Sequence, residues 1–244
     1  MKQAHTTTID RHSVLCSFLL HAAPGLATFI AYVFLFAPLT AHARLPARVG
    51  YILAITCVAL PILLVPLKGS NLWRAFRHGI PRSPAFTSIG IVVALFVWAA
   101  VVSTTVGSVL DPWLQKHVFS WLPASFAASE SVKTTGYGKA SLIATRLASV
   151  VMVGIIVPFA EELYFRGFLL PRVPWNGATR IIIHSAMFAG FHFLSPWAFV
   201  TRMLVLLPMV SSVWLTGRLS IGIWLHCGAN MLGELLLLAV VSAK

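Results

Sequence analysis

The chain has 244 residues, 58% of them hydrophobic and only 10% charged, with a formal net charge of +12. An ordinary soluble domain carries about 25% charged residues. So few charges cannot cover a protein of this size in water, so the bilayer must solvate much of its surface. The basic residues sit between apolar segments rather than on a folded polar platform, which excludes a nucleic-acid-binding surface.

A helix needs about 20 apolar residues to cross the hydrocarbon core. Seven stretches qualify, roughly 14–39, 49–67, 87–110, 141–170, 178–195, 197–216 and 219–241. Backbone in lipid must satisfy its own hydrogen bonds, so all seven read as helices. The expected fold is all-α: a polytopic bundle of about seven membrane helices, within a range of six to eight, forming one membrane domain. Residues 1–140 supply N-terminal helices and an interfacial loop, and residues 141–244 a helical core that encloses a polar site.

The first stretch follows Lys2, Arg11 and His12 like a signal peptide, but it is too long and lacks a small-residue cleavage site. It reads as an uncleaved span. The chain ends Val-Ser-Ala-Lys and carries no prenylation box of its own. Cys16, Cys57 and Cys227 lie in apolar stretches without a CxxC pair, as buried structural thiols do.

The connection 68–86 is a basic loop, with Lys68, Arg74, Arg77 and Arg82 among Gly79, Pro81 and Pro84. The stretch 111–140 is the longest polar one. Its Asp111-Pro112-Trp113 and Trp121-Leu122-Pro123 suit the membrane interface. The basic flanks, with Arg44 and Arg48 counted on the outer side, favour a cytoplasmic N-terminus, and the short chain without large polar insertions fits a bacterial inner membrane.

The chain has six acidic residues, and two of them, Glu161 and Glu162, are neighbours inside the fourth apolar stretch. A charge at the bilayer centre costs roughly 2.5–3.5 kcal/mol on insertion scales, so the pair needs partners. Arg166 lies one helical turn beyond Glu162 and can neutralise it. Glu161 is rotated by about 100° and is left for another group. A snorkelling cluster at a helix end would explain one Glu–Arg pair but not the second carboxylate.

Arg180, His184, Phe188 and His192 share one stripe of the next helix. The turn before it is marked by Pro171, Pro174, Asn176 and Gly177. Folding that hairpin brings His192 near the level of Glu161, where a histidine can do acid–base work. His184 lies about 12 Å further along and reads as packing. The last helix carries His226 and Asn230 four apart, a pair that interhelical hydrogen bonding alone would also explain. Glu234, four residues beyond Asn230, could line the same cavity but reads rather as a polar residue near the helix end.

Glu161-Glu162-x-x-x-Arg166, Phe188-x-x-x-His192 and His226-x-x-x-Asn230, in that order on three helices, resemble the CPBP family. These are type II CAAX prenyl endopeptidases and bacteriocin-processing proteins, also called ABI-type glutamic intramembrane proteases. The resemblance covers about residues 141–235. It implies that Glu161 acts with His192 to activate water for attack on a peptide carbonyl. It further implies that His226 and Asn230 stabilise the oxyanion, that Glu162 and Arg166 orient Glu161, and that Phe188 packs beneath His192.

Two histidines and a carboxylate also suffice to hold a catalytic zinc. There is no HExxH, and Asn230 is a poor zinc ligand, so no metal or other cofactor is expected. The expected partners are the bilayer and a protein or peptide substrate, lipid-modified or bearing a leader or terminal signal. Two other functions compete. A non-catalytic immunity scaffold would use the same residues for binding. A transporter relaying protons through Glu and His would show an inverted repeat, and none is visible.

Overall fold

The computed structural model describes residues 10–68, 86–122 and 136–243. Arg74, Arg77, Gly79, Pro81, Arg82 and Pro84 of the basic loop lie outside them, as do Pro123 and Lys133 of the polar stretch. The described residues are helical, with no strand among them. Among the described residues, six helices are long and apolar enough to cross a membrane. They are α1 (Val14–His42), α2 (Ala47–Leu67), α3 (Ser88–His117), α4 (Lys139–Arg172), α6 (Pro196–Thr216) and α7 (Leu219–Ala243). The protein is an integral membrane helical bundle.

The fifth predicted span differs. Helix α5 is Gly177–Gly190, 14 residues, or about 21 Å at 1.5 Å per residue. That is short of the roughly 30 Å hydrocarbon core. Pro196 holds Ser195 away from helical angles (φ −143°, ψ 63°), so the apolar run 191–195 folds as a turn. Helix α3 runs past its predicted end to His117, because Asp111 stays inside it and accepts a hydrogen bond from Thr201 Oγ1 at 2.6 Å.

Proline sets much of the helix geometry. Pro38, Pro61, Pro158 and Pro171 each follow a widened turn with i→i+5 bonding, at Tyr32–Phe36, Ile55–Ala59, Met152–Ile156 and Glu162–Leu169. A proline ring clashes with the carbonyl four residues back and offers it no N–H. Opening the turn relieves that clash. The carbonyls so freed become anchors for neighbouring helices. Leu20, four before Pro24, accepts from the Tyr164 hydroxyl at 2.9 Å. Leu204, four before Pro208, accepts from Trp98 Nε1 at 2.8 Å.

Helix α4 is the centre of the bundle. It packs along α7 and against α2, while α5 packs between α1 and α6. Residues 160 to 166 of α4 are all buried. Large apolar side chains such as Phe34 (75% exposed) and Leu215 (79%) face outward, as a surface solvated by lipid requires. Cys57 is exposed and Cys16 and Cys227 are half-buried, which corrects the expectation of buried thiols; all three are free.

Candidate functional site

Glu161 and Glu162 occupy consecutive positions where α4 passes into its second widened turn. Both are buried, Glu161 at 6% exposure and Glu162 at 0%. They face different surroundings. Glu162 Oε1 pairs with Arg166 Nη1 at 3.0 Å and accepts from His226 Nδ1 at 2.8 Å. Its other oxygen lies against Gly222 of α7, where a Cβ would come within 2.5 Å. Only a glycine leaves room for that carboxylate. Glu161 lines a cavity of about 740 Å³, and its Oε2 is 3.7 Å from His226 Nε2.

His226 therefore touches both carboxylates, one through each ring nitrogen. The spacing alone pairs Glu162 with Arg166; the fold adds His226 of α7. Two carboxylates and one guanidinium carry a net negative charge.

His192 lies in the turn after α5, not on the helix. The turn is set by Phe191 N–H donating to the Met187 carbonyl at 3.0 Å and Ser195 N–H to the His192 carbonyl at 3.1 Å. Arg202 Nη1 donates to the Ser195 carbonyl at 2.7 Å and holds the turn from α6. On the other side, a Cβ at Gly25 of α1 would collide with the Phe191 carbonyl oxygen, so α1 approaches this turn as closely as backbone allows. His192 Nδ1 is 3.1 Å from the Phe188 carbonyl. A carbonyl only accepts, so Nδ1 carries the proton and Nε2 keeps its lone pair. His192 lines the same cavity as Glu161.

Phe188 ties these groups together. Its ring makes edge contacts with His192 (centroids 5.2 Å apart) and His226 (6.0 Å), and the Arg166 guanidinium lies over it at 3.9 Å. Asn230 also lines the cavity, and its Nδ2 donates to the Val153 carbonyl at 3.3 Å. In the widened turn Val153 would bond to residue 158, but Pro158 has no N–H. The Asn230 amide takes that place, so a proline in α4 fixes a polar side chain of α7.

Three features escape the sequence reading. Arg48 is 9% exposed, not a surface flank charge, and pairs with Glu234; Arg146 Nη1 lies 3.5 Å from Glu234's other oxygen. Glu234 lies on the cavity wall with Arg48, the less favoured of the two places expected for it. The four-residue spacing of His226, Asn230 and Glu234 was the available signal. His184 is bonded to His21 of α1, ring nitrogen to ring nitrogen at 2.9 Å, with His21 Nδ1 at 2.7 Å from the Ser17 carbonyl. Among the described residues, no trio of His, Cys, Asp or Glu is arranged to hold a metal ion.

Residues 143–232 match the family model of the Rce1-like proteins, described as type II CAAX prenyl endopeptidases. This stretch of the chain is similar to the Rce1-like proteins. The matched stretch takes in Glu161, Glu162, Arg166, Phe188, His192, His226 and Asn230. It supports a CAAX-type membrane protease and so a peptide substrate met in a bilayer. Arg48 and Glu234 lie outside the Rce1-like stretch. No curated protein and no solved structure matches the chain.

Proposed function

We propose that this chain is an intramembrane endopeptidase that hydrolyses a peptide bond with a water activated by Glu161 and His192. The observation that carries the reading is that a carboxylate and an imidazole, on separate elements, line one cavity. Glu161 takes the proton of the attacking water. His192 Nε2, with its lone pair presented, accepts the water's hydrogen bond and aligns it. As the carbonyl oxygen gains charge, the Asn230 amide supplies one N–H donor, and a doubly protonated His226 ring supplies another through Nε2 while its Nδ1–H stays on Glu162. In a dry site one such donor is worth on the order of 3–4 kcal/mol.

Glu162 and Arg166 do no chemistry in this scheme. They hold His226 through Glu162 Oε1 and keep the cluster near neutrality as the proton moves. The proton taken by Glu161 then passes to the leaving amine. No resident metal or cofactor takes part. The substrate is a membrane-associated protein or peptide, carrying a prenylated C-terminus, a sorting signal or a leader. The basic flanks support a cytoplasmic N-terminus, and the short chain without large polar insertions supports a bacterial plasma membrane.

The test is cleavage by purified protein of peptides bearing an S-prenylated cysteine near the C-terminus, and of leader-bearing precursors. Glu161→Ala and His192→Ala should abolish cleavage while the protein stays folded in the membrane. Full biological activity in both variants would show instead a binding or immunity scaffold. Activity lost to a chelator and restored only by zinc would replace glutamic chemistry with metal chemistry.

A further inference from the structure

We propose that Arg180, with Arg11 beside it, binds the phosphate of an anionic phospholipid where α1 begins, α4 ends and α5 begins. The proposal stands apart from the endopeptidase reading, since no residue of the cavity takes part.

The first observation is an arginine fixed in place with its binding edge unused. Arg180 is 5% exposed. Its Nε donates to the Trp175 carbonyl at 2.9 Å, and its guanidinium lies over the Trp214 ring of α6 at 4.2 Å. These contacts set the plane of the group. Its two Nη groups have no hydrogen-bond or ion-pair partner among the described residues. A guanidinium taken out of water needs an anion, and its planar fork matches the oxygens of a phosphate.

The second observation is that the fold supplies no carboxylate here. His12 N–H donates to the Arg172 carbonyl at 2.7 Å, which docks the segment before α1 on the end of α4. Arg11 is thereby set close enough to Arg180 for the two charges to repel. Asp10 acts on Arg172 instead. The other described acids are engaged elsewhere: Glu161 and Glu162 with His226 and Arg166, Glu234 with Arg48 and Arg146, Asp111 with Thr201. Residues 1–9, before α1, and 69–85, between α2 and α3, contain no Asp or Glu. Helix α5 also starts here without a side-chain cap, and the N–H groups of Gly177, Ala178 and Thr179 have no acceptor among the described residues. Such a helix start adds to the attraction for an anion.

The third observation is apolar surface beside the cations. Phe18 meets the Trp175 ring edge-on at 6.1 Å and is 48% exposed, and Leu215, next to Trp214, is 79% exposed. Tryptophan beside arginine and exposed hydrocarbon is the composition of a membrane interface. A site that offers cations next to apolar surface fits a phospholipid better than a free phosphate.

The test uses the full chain purified in dodecyl maltoside at about 150 mM salt, which screens diffuse attraction. Dioleoylphosphatidylglycerol, dioleoylphosphatidylcholine and inorganic phosphate are added separately. Binding is read as lipid retained in native mass spectrometry and as the shift in Tm. Phosphatidylglycerol should bind at least about tenfold tighter than phosphatidylcholine, whose choline sets a cation beside the arginines. Arg180→Gln should erase that preference, and Arg180→Lys should restore part of it. Arg11→Gln alters an exposed side chain and should weaken phosphatidylglycerol by about threefold. Lys68→Gln, an exposed cation at the end of α2, is the control and should change nothing.

Equal binding of the two lipids, or a preference that survives both Arg180→Gln and Arg11→Gln, would overturn the proposal. An equal loss in Lys68→Gln and Arg11→Gln would also overturn it, by reducing the effect to net charge; that comparison decides the matter if Arg180→Gln does not fold. Stabilisation by inorganic phosphate as large as that by phosphatidylglycerol, and lost in the same variants, would give the site to a free phosphate instead.

Discussion

Gly222→Ala should cripple catalysis without touching substrate. A Cβ at residue 222 would lie 2.5 Å from Glu162 Oε2, 3.3 Å from its carboxyl carbon and 3.2 Å from Val213 Cγ2. Ordinary contact begins near 3.4 Å, so the carboxylate must move by about 1 Å. It cannot swing freely, because Arg166 and His226 both hold Oε1. The displacement therefore passes to His226 and from there to Glu161. A misplacement of about 1 Å at a catalytic group costs on the order of 100-fold in rate, and overpacking costs about 1–3 kcal/mol in stability. The assay is kcat and KM for peptide cleavage, with Tm on the same preparation. The loss should fall on kcat, with KM nearly unchanged. Gly90→Ala is the control, since a Cβ there meets nothing within 4 Å. If Gly222→Ala retains wild-type kcat, the brace formed by Glu162 does not position the site.

Glu234→Gln should destabilise the fold by about 3–5 kcal/mol, since it leaves Arg48 and Arg146 buried without their carboxylate; chemical unfolding in micelles would show it, with Arg48→Gln much milder. Pro158→Ala returns an N–H that competes with Asn230 for the Val153 carbonyl, so kcat should fall by about tenfold while Tm holds or rises. His21→Leu and His184→Leu should each cost about 1–3 kcal/mol by stranding the other imidazole. The double variant should cost less than the sum, read as a double-mutant cycle in Tm.

The Glu162–Arg166 pair was legible in the sequence because it is local: four residues on one helix meet whatever surrounds them. It survives even the widened turn that begins at Glu162. The contact of His226 with Glu162 was not legible. It joins residues 64 apart and exists only because α4 and α7 pack with Gly222 between them. Arg48 reads as a flank charge from its place before an apolar run, and its burial is decided by Glu234, 186 residues away. The early end of α5 was half visible. Gly190 and Pro196 mark a break, but the apolar residues between them hide it from any hydropathy window. His192 thus sits in a turn, where Phe188 and Arg202 rather than a helix register determine its aim.

The measurement closest to the heart of the mechanism is peptide cleavage by Glu161→Gln in proteoliposomes, compared with wild type at equal amounts of folded protein. Glutamine keeps the size and cavity contacts of Glu161 but cannot take a proton. The rate should fall by at least 100-fold, toward the roughly 10⁴-fold upper range for loss of a general base, with Tm close to wild type. Turnover within a few-fold of wild type would mean that Glu161 is not the base and that the water is activated elsewhere.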